Sequence, residues 1–357
     1  MQKGFGLRKR FLLNTYRNFI RNEANIHELR YLFWECTLRC NLNCLHCGSD
    51  CTRDARVKDM SAEDFLDQMR KLKKQVDPSK VMVVITGGEP LLRSDLEKVG
   101  LSLRQMGYPW GIVSNGMAYT PERHRKLMNA GMGALTFSFD GLEGSHNWLR
   151  NNLRSYRRVT EALKLAAHEE RLTYDVVSCV NQRNIHELEG IRDKLASLKV
   201  KAWRLFTIAP IGRAAENAEM QLDSEQMKYL MDFICMNRDY KGMKVSFSCE
   251  GFTGPYESLV RDGFFFCRAG IHIGSILVDG SVSACPNIDR KAAQGSIYER
   301  DFIDIWNNEF KIMRDRSWTK TGMCESCNMY KWCGGNGMHL WDLEKKELLQ
   351  CHYKSLV

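Results

Sequence analysis

Three cysteines, Cys40, Cys44 and Cys47, lie close together near the start of this 357-residue chain. Their spacing is Cys-x3-Cys-x2-Cys, and thiolates this close can each bind one iron of a cubic four-iron, four-sulfur cluster. No fourth cysteine completes the local set, so one iron would keep an open coordination position. An open iron can bind and reduce a small molecule, which makes these cysteines candidates for a catalytic centre.

A zinc site is the alternative for these thiols. Zinc sites usually combine a Cys-x2-Cys pair with two further Cys or His ligands. The motif offers no evident second pair, and His46 inside it is sterically poor as a ligand. Cys36 and Cys40 have the same spacing as Cys40 and Cys44, which offers an alternative start for the motif. Cys36 falls within a predicted strand, however, and is set aside. Three other cysteines are expected to be ordinary buried thiols: Cys51, Cys179 and Cys235.

Composition limits the class of protein. The chain has 14 cysteines, and its basic first segment has neither a long apolar stretch nor a small-residue cleavage site. We therefore expect a cytoplasmic protein whose cysteines bind metal rather than form disulfides. The formal net charge of +9 permits an acidic partner, phosphates or a membrane surface without demonstrating one, and no nucleic-acid partner is expected.

Strand-like and helix-like segments alternate six times between residues 31 and 240. The predicted strands are 31–36, 81–86, 111–115, 134–139, 172–180 and 202–208. Regular alternation predicts an α/β fold with a parallel sheet, and six units favour a partial (βα)6 TIM-like barrel over the closed eight-unit form. Chemistry in such folds lies where strands end. Five notable residues fall at predicted strand ends or just after them: Cys40, Gly87, Ser114, Asp140 and Pro210.

Helix starts are marked by capping residues. Ser61 is followed three residues later by Asp64, which resembles a capping box. Thr120 is followed by a proline at the first helical position. Ser94 is the predicted cap of a helix that Gly107 ends.

The run around the three cysteines, WECTLRCNLNCLHCGSDC, resembles the cluster motif of the radical S-adenosylmethionine (SAM) superfamily. Further marks of that family follow in order: Thr86-Gly87-Gly88-Glu89-Pro90, Ser114-Asn115-Gly116, Ser138 and Asp140 in SFDG, His146, Arg150, Trp203-Arg204 and Pro210-x-Gly212-Arg213. The resemblance covers essentially all of residues 31–357. It implies a [4Fe–4S] cluster that chelates SAM and cleaves it reductively to a 5′-deoxyadenosyl radical, which abstracts hydrogen from the substrate.

The resemblance also implies which residues bind SAM. The amino group needs acceptors, for which the GGEP motif supplies Gly87, Gly88, Glu89 and Pro90. The methionine carboxylate needs donors, for which the candidates are Ser138, Arg150 and Arg204. The ribose hydroxyls need small polar groups, for which the candidates are Ser114, Asn115 and Asp140. No catalytic acid or base is assigned.

The C-terminal third is rich in cysteine and glycine. Its pattern is Cys267, Gly280-x4-Cys285, Cys324-x2-Cys327-x5-Cys333 and Cys351. This resembles the SPASM extension, which holds auxiliary iron–sulfur clusters in peptide-modifying radical enzymes. The chain departs from that pattern at Gly337, where the family usually has a cysteine. The predicted domains are a basic extension (1–30), the barrel (31–240), a bridging segment (241–265) and a SPASM/twitch-like domain (266–357).

Two arrangements of the auxiliary cysteines stay open. In the first, one complete [4Fe–4S] cluster is held by Cys324, Cys327, Cys333 and Cys351. Cys267 and Cys285 then hold a second, under-ligated cluster, to which Cys249 could contribute. In the second, one auxiliary cluster is held by Cys267, Cys285, Cys324 and Cys327. Zinc on Cys324-x2-Cys327 and two further thiols is the alternative to both.

The resemblance implies an oxidoreductase-like enzyme that modifies a peptide or protein, with a small lipoprotein precursor as one candidate substrate and a flavodoxin or ferredoxin as electron donor. Radical chemistry on a small molecule, such as a tetrapyrrole or sugar, is the alternative, followed by a non-catalytic redox adaptor. Sulfatase maturation is disfavoured, because that group places an acid directly after the cysteine of Gly-x4-Cys. Here Pro286 and Asn287 follow Cys285, and Asp289 is displaced.

The N-terminal 22 residues predict an amphipathic helix. One face would carry Phe5, Leu12, Phe19 and Ile20, and the basic residues Lys9, Arg10, Arg17 and Arg21 would lie elsewhere. We expect this helix to pack on the barrel. Docking on a partner or on an anionic membrane is the alternative.

Overall fold

A ten-stranded sheet with flanking helices organises the chain, as shown by a computed structural model that describes residues 5–357. The strands of this sheet are β1 (Tyr31–Glu35), β2 (Met82–Thr86), β3 (Trp110–Ser114), β4 (Ala134–Ser138), β5 (Thr173–Cys179), β6 (Ala202–Phe206), β7 (Asp239–Tyr240), β8 (Met243–Phe247), β9 (Ile273–Ile276) and β10 (Val282–Ser283). A separate two-stranded sheet consists of β11 (Trp341–Asp342) and β12 (Glu347–Leu348).

Helices follow most of the parallel strands. They are α1 (Leu7–Ile26), α2 (Ala62–Leu72), α3 (Leu96–Met106), α4 (Pro121–Asn129), α5 (Glu143–Leu149), α6 (Ser155–Ala166), α7 (Leu188–Ser197), α8 (Ser224–Met236), α9 (Phe302–Asn308), α10 (Lys311–Arg314) and α11 (Tyr330–Cys333). Within residues 5–357, none of these helices combines the length and hydrophobicity needed to span a bilayer.

The order of strands confirms the predicted partial barrel. β1 to β6 lie side by side in chain order, and each pairs in parallel with the next. The sheet also extends beyond the six predicted strands at both ends. β8, inside the predicted bridging segment, pairs in parallel with β6, and β9 from the C-terminal region pairs in parallel with β1.

Side-chain capping marks the starts of α2, α4 and α8. The Ser61 hydroxyl accepts a hydrogen bond from the backbone N–H of the third helical residue of α2 at 3.0 Å, as the sequence predicts. Thr120 caps α4 in the same way at 3.2 Å. The predicted cap at Ser94 is wrong, because α3 begins one residue later than that cap allows and Asp95 takes the N-cap position.

The hydrophobic core lies between the sheet and its helices. Trp34 of β1 stacks on Phe65 of α2 with ring centroids 4.2 Å apart. Trp203 of β6 meets Phe233 of α8 edge-on. These fully buried aromatic pairs fix the strands against the helices, and the carboxyl ends of the strands are left to build a site.

The N-terminal helix is present, but its buried face differs from the predicted one. Leu13 is buried, whereas Leu12 and Phe19 are each 44% exposed. The helix packs on the C-terminal part of the chain, for example through Tyr16 on Phe264 with ring centroids 5.4 Å apart. The predicted face is partly right: Phe5 packs on Trp332 with ring centroids 5.4 Å apart, but Leu12 is largely exposed. The expected packing on the barrel is corrected, because the aromatic contacts of the helix are with the region after residue 250. Membrane contact by this segment stays a prediction.

Two neighbouring leucines test this contact surface. Leu13→Ala should lower the free energy of unfolding by about 2–4 kcal/mol, because a buried leucine leaves a cavity. Leu12→Ala should change it by about 0.5 kcal/mol or less, since that side chain is largely exposed. Urea unfolding of both variants measures the difference. Equal effects would show that this helix is not held through Leu13.

Candidate active site

A cavity of about 810 Å³ lies at the carboxyl ends of the barrel strands. One wall is the loop after β1, which carries Cys40, Cys44 and Cys47. The opposite wall comes from the C-terminal region and includes residues 286–290 with His339 and Trp341. Other predicted site residues that line the cavity are Gly87, Gly88, Ser114, Asn115, Ser138 and Arg150.

The two glycines of the GGEP motif hold the cysteine loop in place. The backbone N–H of Gly88 donates to the carbonyl of Thr37 at 2.7 Å, and that of Glu89 donates to the carbonyl of Arg39 at 2.9 Å. A Cβ atom on Gly87 would collide with the Thr37 carbonyl, and one on Gly88 with the Arg39 carbonyl. Glycine is therefore required here for the close approach of two backbone segments.

Glu89 lies beneath the cavity wall rather than on it. Its carboxylate accepts hydrogen bonds from the Ser114 hydroxyl at 2.9 Å and the Asn115 backbone N–H at 2.8 Å. Burial raises the pKa of Glu89 to about 7. In this structure Glu89 positions Ser114 and Asn115, and its predicted contact with the SAM amino group stays a prediction. Pro90 is also buried and does not line the cavity.

Two hydrogen-bond donors point at the cysteine sulfurs. The amide nitrogen Nδ2 of Asn115 lies 3.7 Å from Sγ of Cys40, and a guanidinium nitrogen of Arg150 lies 3.7 Å from Sγ of Cys44. Donors in these positions stabilise thiolates, the form in which cysteine binds metal.

Arg150 is held by a buried carboxylate. Its Nε donates to Oδ2 of Asp140 at 2.6 Å, and the other Asp140 oxygen accepts the Cys179 backbone N–H at 2.9 Å. Although burial opposes ionisation, the Arg150 guanidinium keeps the pKa of Asp140 below its usual value. Both oxygens of Asp140 are thus engaged and the residue does not line the cavity, so its role as a ribose ligand stays a prediction that this geometry does not favour.

Cys47 has the strongest thiolate character of the three cysteines. Hydrogen bonding by Cys51 outweighs burial and lowers the pKa of Cys47 to about 6. The Cys51 backbone N–H lies 3.4 Å from Sγ of Cys47. Cys51 is buried, as predicted, but it lies at the site. Arg213 fastens the same loop by donating to the carbonyl of Cys44 at 2.8 Å.

Arg204 lies outside the cavity, contrary to its predicted role as a carboxylate donor. It precedes the end of β6 by two residues and forms an ion pair with Asp175 of β5. Phe206, on the same face of the strand, reaches the cavity instead. His146 is likewise structural, since its Nδ1 accepts the Asp140 backbone N–H at 3.0 Å.

Sequence reasoning missed several cavity residues. Cys179 and Thr207 stand at strand ends, a signal that was available. Glu250 follows the unpredicted strand β8, and its Oε2 accepts a hydrogen bond from the Thr207 hydroxyl at 2.8 Å. Burial raises the pKa of Glu250 to about 7.

His46 lines the cavity too, and burial lowers its pKa to about 3, so its imidazole is neutral.

The C-terminal cysteines form two groups. Four of them line one small pocket: Cys324, Cys327, Cys333 and Cys351. The other group is Cys249, Cys267 and Cys285, and burial together with the thiols of the first two raises the pKa of Cys285 to about 12. This grouping favours the first of the two predicted arrangements, with Cys249 as a member of the smaller group.

Comparison with known families decides the assignment. A model of the radical SAM superfamily matches residues 34–195, and a model of the SPASM iron–sulfur cluster-binding domain matches residues 267–328. The chain belongs to the radical SAM superfamily. Its C-terminal part is a SPASM domain, and the predicted alternatives of zinc sites or a non-enzymatic scaffold are thereby disfavoured.

Characterised relatives of this radical SAM enzyme differ in their named activities. An AdoMet-dependent heme synthase of Methanosarcina barkeri (strain Fusaro / DSM 804) is 26% identical over 329 residues, which covers 86% of this chain and 90% of the relative. Mycofactocin maturase MftC of Mycolicibacterium smegmatis is 26% identical over 317 residues, covering 86% and 77%. The structure of Streptococcus suis SuiB bound to precursor peptide SuiA has a TM-score of 0.67 at 16% identity, covering 93% and 77%.

The cofactors of this radical SAM enzyme are [4Fe–4S] clusters and SAM. The residues present fit the radical cluster. Cys40, Cys44 and Cys47 share one cavity wall, and Asn115 and Arg150 direct donors at two of their sulfurs. When bound, the cluster and SAM supply a strongly oxidising organic radical. The chain holds the thiolates, neutralises charge through Arg150 and covers the site with the SPASM domain.

Removing one cysteine of the motif tests the cluster site. Cys44→Ala should lose about four irons per chain and all SAM cleavage, because three thiolates hold the cluster. Cys235→Ala is the matched control, since Cys235 lies on α8 away from the cavity. Iron assay and 5′-deoxyadenosine formation under dithionite measure both variants. Retention of iron and cleavage in Cys44→Ala would contradict this assignment.

Arg150 and Arg204 make a second matched pair. We expect Arg150→Met to weaken SAM binding about ten- to a hundredfold, because a charged hydrogen bond in a buried site is worth about 1.5–3 kcal/mol. Arg204→Met should stay within about twofold, since Arg204 lies outside the cavity. Equilibrium dialysis with SAM measures both, and thermal unfolding checks that each variant is folded. The opposite ranking would restore the role first predicted for Arg204.

Proposed function

We propose that this radical SAM enzyme modifies a peptide or protein. The observation that carries the proposal is the distribution of charge in the cavity. Each arginine of the wall is already held by a carboxylate: Arg150 by Asp140, Arg213 by Asp50 and Arg290 by Glu35. The positive charges that line the cavity are therefore largely offset by carboxylates, which leaves little net attraction for an anionic substrate.

The wall formed by the C-terminal region is acidic instead. Glu250 and Asp289 form no close ion pair with a Lys or Arg in the described part of the chain, and Asp342 has an exposed lysine, Lys345, at 3.4 Å. His339 lies 3.7 Å from Glu250, but burial lowers the pKa of His339 to about 4, so the ring is neutral. A neutral or basic peptide segment suits this wall better than a substrate with several carboxylates.

The position of Glu250 also suits proton removal from a substrate. Its Oε2 is fixed by Thr207, whereas Oε1 has no hydrogen-bond partner among the described residues. A carboxyl group with a pKa near 7 can accept a proton at neutral pH. The substrate would lie between the loop of Cys40, Cys44 and Cys47 and the SPASM domain, where Glu250 would be placed to take a proton from it, and an auxiliary cluster in that domain would supply an electron acceptor.

The relatives supply a second candidate. The heme synthase of Methanosarcina barkeri matches over a longer stretch than the mycofactocin maturase. A tetrapyrrole is therefore the alternative substrate. It carries several carboxylates, which the acidic wall disfavours.

The electron donor follows from charge. We propose a flavodoxin or ferredoxin, because such acidic carriers suit a chain with a formal net charge of +9. We also propose a lipoprotein precursor as the peptide partner and a cytoplasmic location for the enzyme.

Deuterium transfer tests the substrate class. Reduced enzyme and SAM are incubated with perdeuterated peptide pools, or with a deuterated porphyrin, and 5′-deoxyadenosine is analysed by mass spectrometry. We expect deuterium from peptides, with lysine-bearing sequences favoured over glutamate-bearing ones. The double variant Asp289→Asn/Asp342→Asn should reduce that preference about threefold or more, because two carboxylates leave the wall.

One outcome of the same assay would contradict the proposal. Deuterium transfer from the porphyrin alone would replace peptide modification with tetrapyrrole chemistry. The Cys44→Ala variant is the blank for both substrates, since it cannot cleave SAM.

A further inference from the structure

The smaller group of SPASM cysteines lacks a fourth thiol. The other four cysteines of the domain line a pocket of their own. In this family a cysteine usually follows Cys333 by four residues, but the chain has Gly337 there. A cluster held by Cys249, Cys267 and Cys285 would therefore have one iron without a cysteine ligand.

A histidine occupies the space of the missing cysteine. A Cβ atom on Gly337 would lie 2.8 Å from Cε1 and 3.0 Å from Nδ1 of His339, so the imidazole stands where a side chain at 337 would project. The same Cβ would lie 2.5 Å from the carbonyl oxygen of Glu250, the residue after Cys249. Glycine at 337 thus makes room for the ring of His339.

The loop that carries His339 also contacts the first cysteine of the group. The backbone N–H of Met338 points at Sγ of Cys267, with a nitrogen-to-sulfur distance of 3.5 Å. N–H donors directed at cysteine sulfur are common around iron–sulfur clusters and tune their potential. One short loop therefore touches Cys267 on one side and the segment of Cys249 on the other.

His339 has an unused ring nitrogen. Its Nε2 is buried and has no hydrogen-bond partner within residues 5–357, and Oε1 of Glu250 lies 3.7 Å from it, beyond hydrogen-bond distance. A buried nitrogen without a hydrogen-bond partner lowers the stability of the folded protein unless another group binds it. An imidazole nitrogen that no other group binds can serve as a metal ligand.

We propose that Cys249, Cys267, Cys285 and His339 together ligate one auxiliary iron–sulfur cluster, with the imidazole in place of the family's cysteine. Histidine raises the reduction potential of a cluster relative to cysteine. The cluster would then be a better acceptor for an electron from the substrate. This inference holds for either substrate class and does not depend on the peptide proposal.

Pulsed EPR detects such a ligand directly. The full chain carrying Cys40→Ala, Cys44→Ala and Cys47→Ala removes the radical cluster, so that only auxiliary clusters contribute. Reduced protein labelled with ¹⁵N-histidine should show a strongly coupled nitrogen. His339→Ala and His339→Cys should both lose that coupling, and His339→Cys should keep the wild-type iron content.

His352 is the matched control. It is buried, and its Nδ1 also lacks a hydrogen-bond partner in the described chain, but its Nε2 already bonds to Thr207 at 2.8 Å. His352→Gln should retain the coupled nitrogen. Loss of the coupling in His352→Gln but not in His339→Ala, or no coupled nitrogen in the parent protein, would overturn the proposal.

A redox titration gives an independent readout if His339→Ala fails to fold. His339→Cys should shift the midpoint of one auxiliary cluster to a lower potential and leave the other unchanged. An unchanged pair of midpoints would show that His339 is not a ligand. A shift in the spectrum on adding cyanide to the Cys40→Ala/Cys44→Ala/Cys47→Ala variant, which lacks the radical cluster, would also count against the proposal, because it would reveal an open iron in an auxiliary cluster.

Discussion

The close approach of two backbone segments underlies the whole site. The loop after β1 passes so near the end of β2 that a single added carbon at Gly87 or Gly88 would collide with a carbonyl oxygen. Those carbonyls in turn accept the N–H groups of residues 88 and 89. The three cysteine ligands therefore have fixed backbone positions before any metal binds, and the remaining parts of the site are built around that loop.

Charge in the site is balanced by buried pairs rather than by solvent. Asp140 holds Arg150 beneath the cavity, so a cation is available beside Cys44 without being free to move. Glu89 plays a similar supporting part for Ser114 and Asn115. Residues that define the family motif thus act at two depths: one set reaches the cavity and the other holds that set in position.

The sequence predicted what depends on local pattern. Six strands, the cysteine motif and the glycines at the end of β2 follow from periodicity and spacing. How far along a strand a side chain lies from the cavity could not be predicted. Arg204 was therefore assigned to the cavity, whereas the structure pairs it with Asp175 outside the cavity. Glu250 and His339 were missed for another reason. They come from distant parts of the chain and meet where Gly337 packs against the Glu250 carbonyl, a contact that local pattern does not reveal.

β9 links the two domains more closely than their separate family models imply. It lies beside β1 in the central sheet, and Val278, just after it, packs against the cysteine loop and donates its N–H to Glu35 at 3.2 Å. A ribosome that has released only the first 265 residues would leave β1 as a bare edge strand. The C-terminal third therefore completes the central sheet beside the radical centre, and Val278 covers the cysteine loop only once that third has folded.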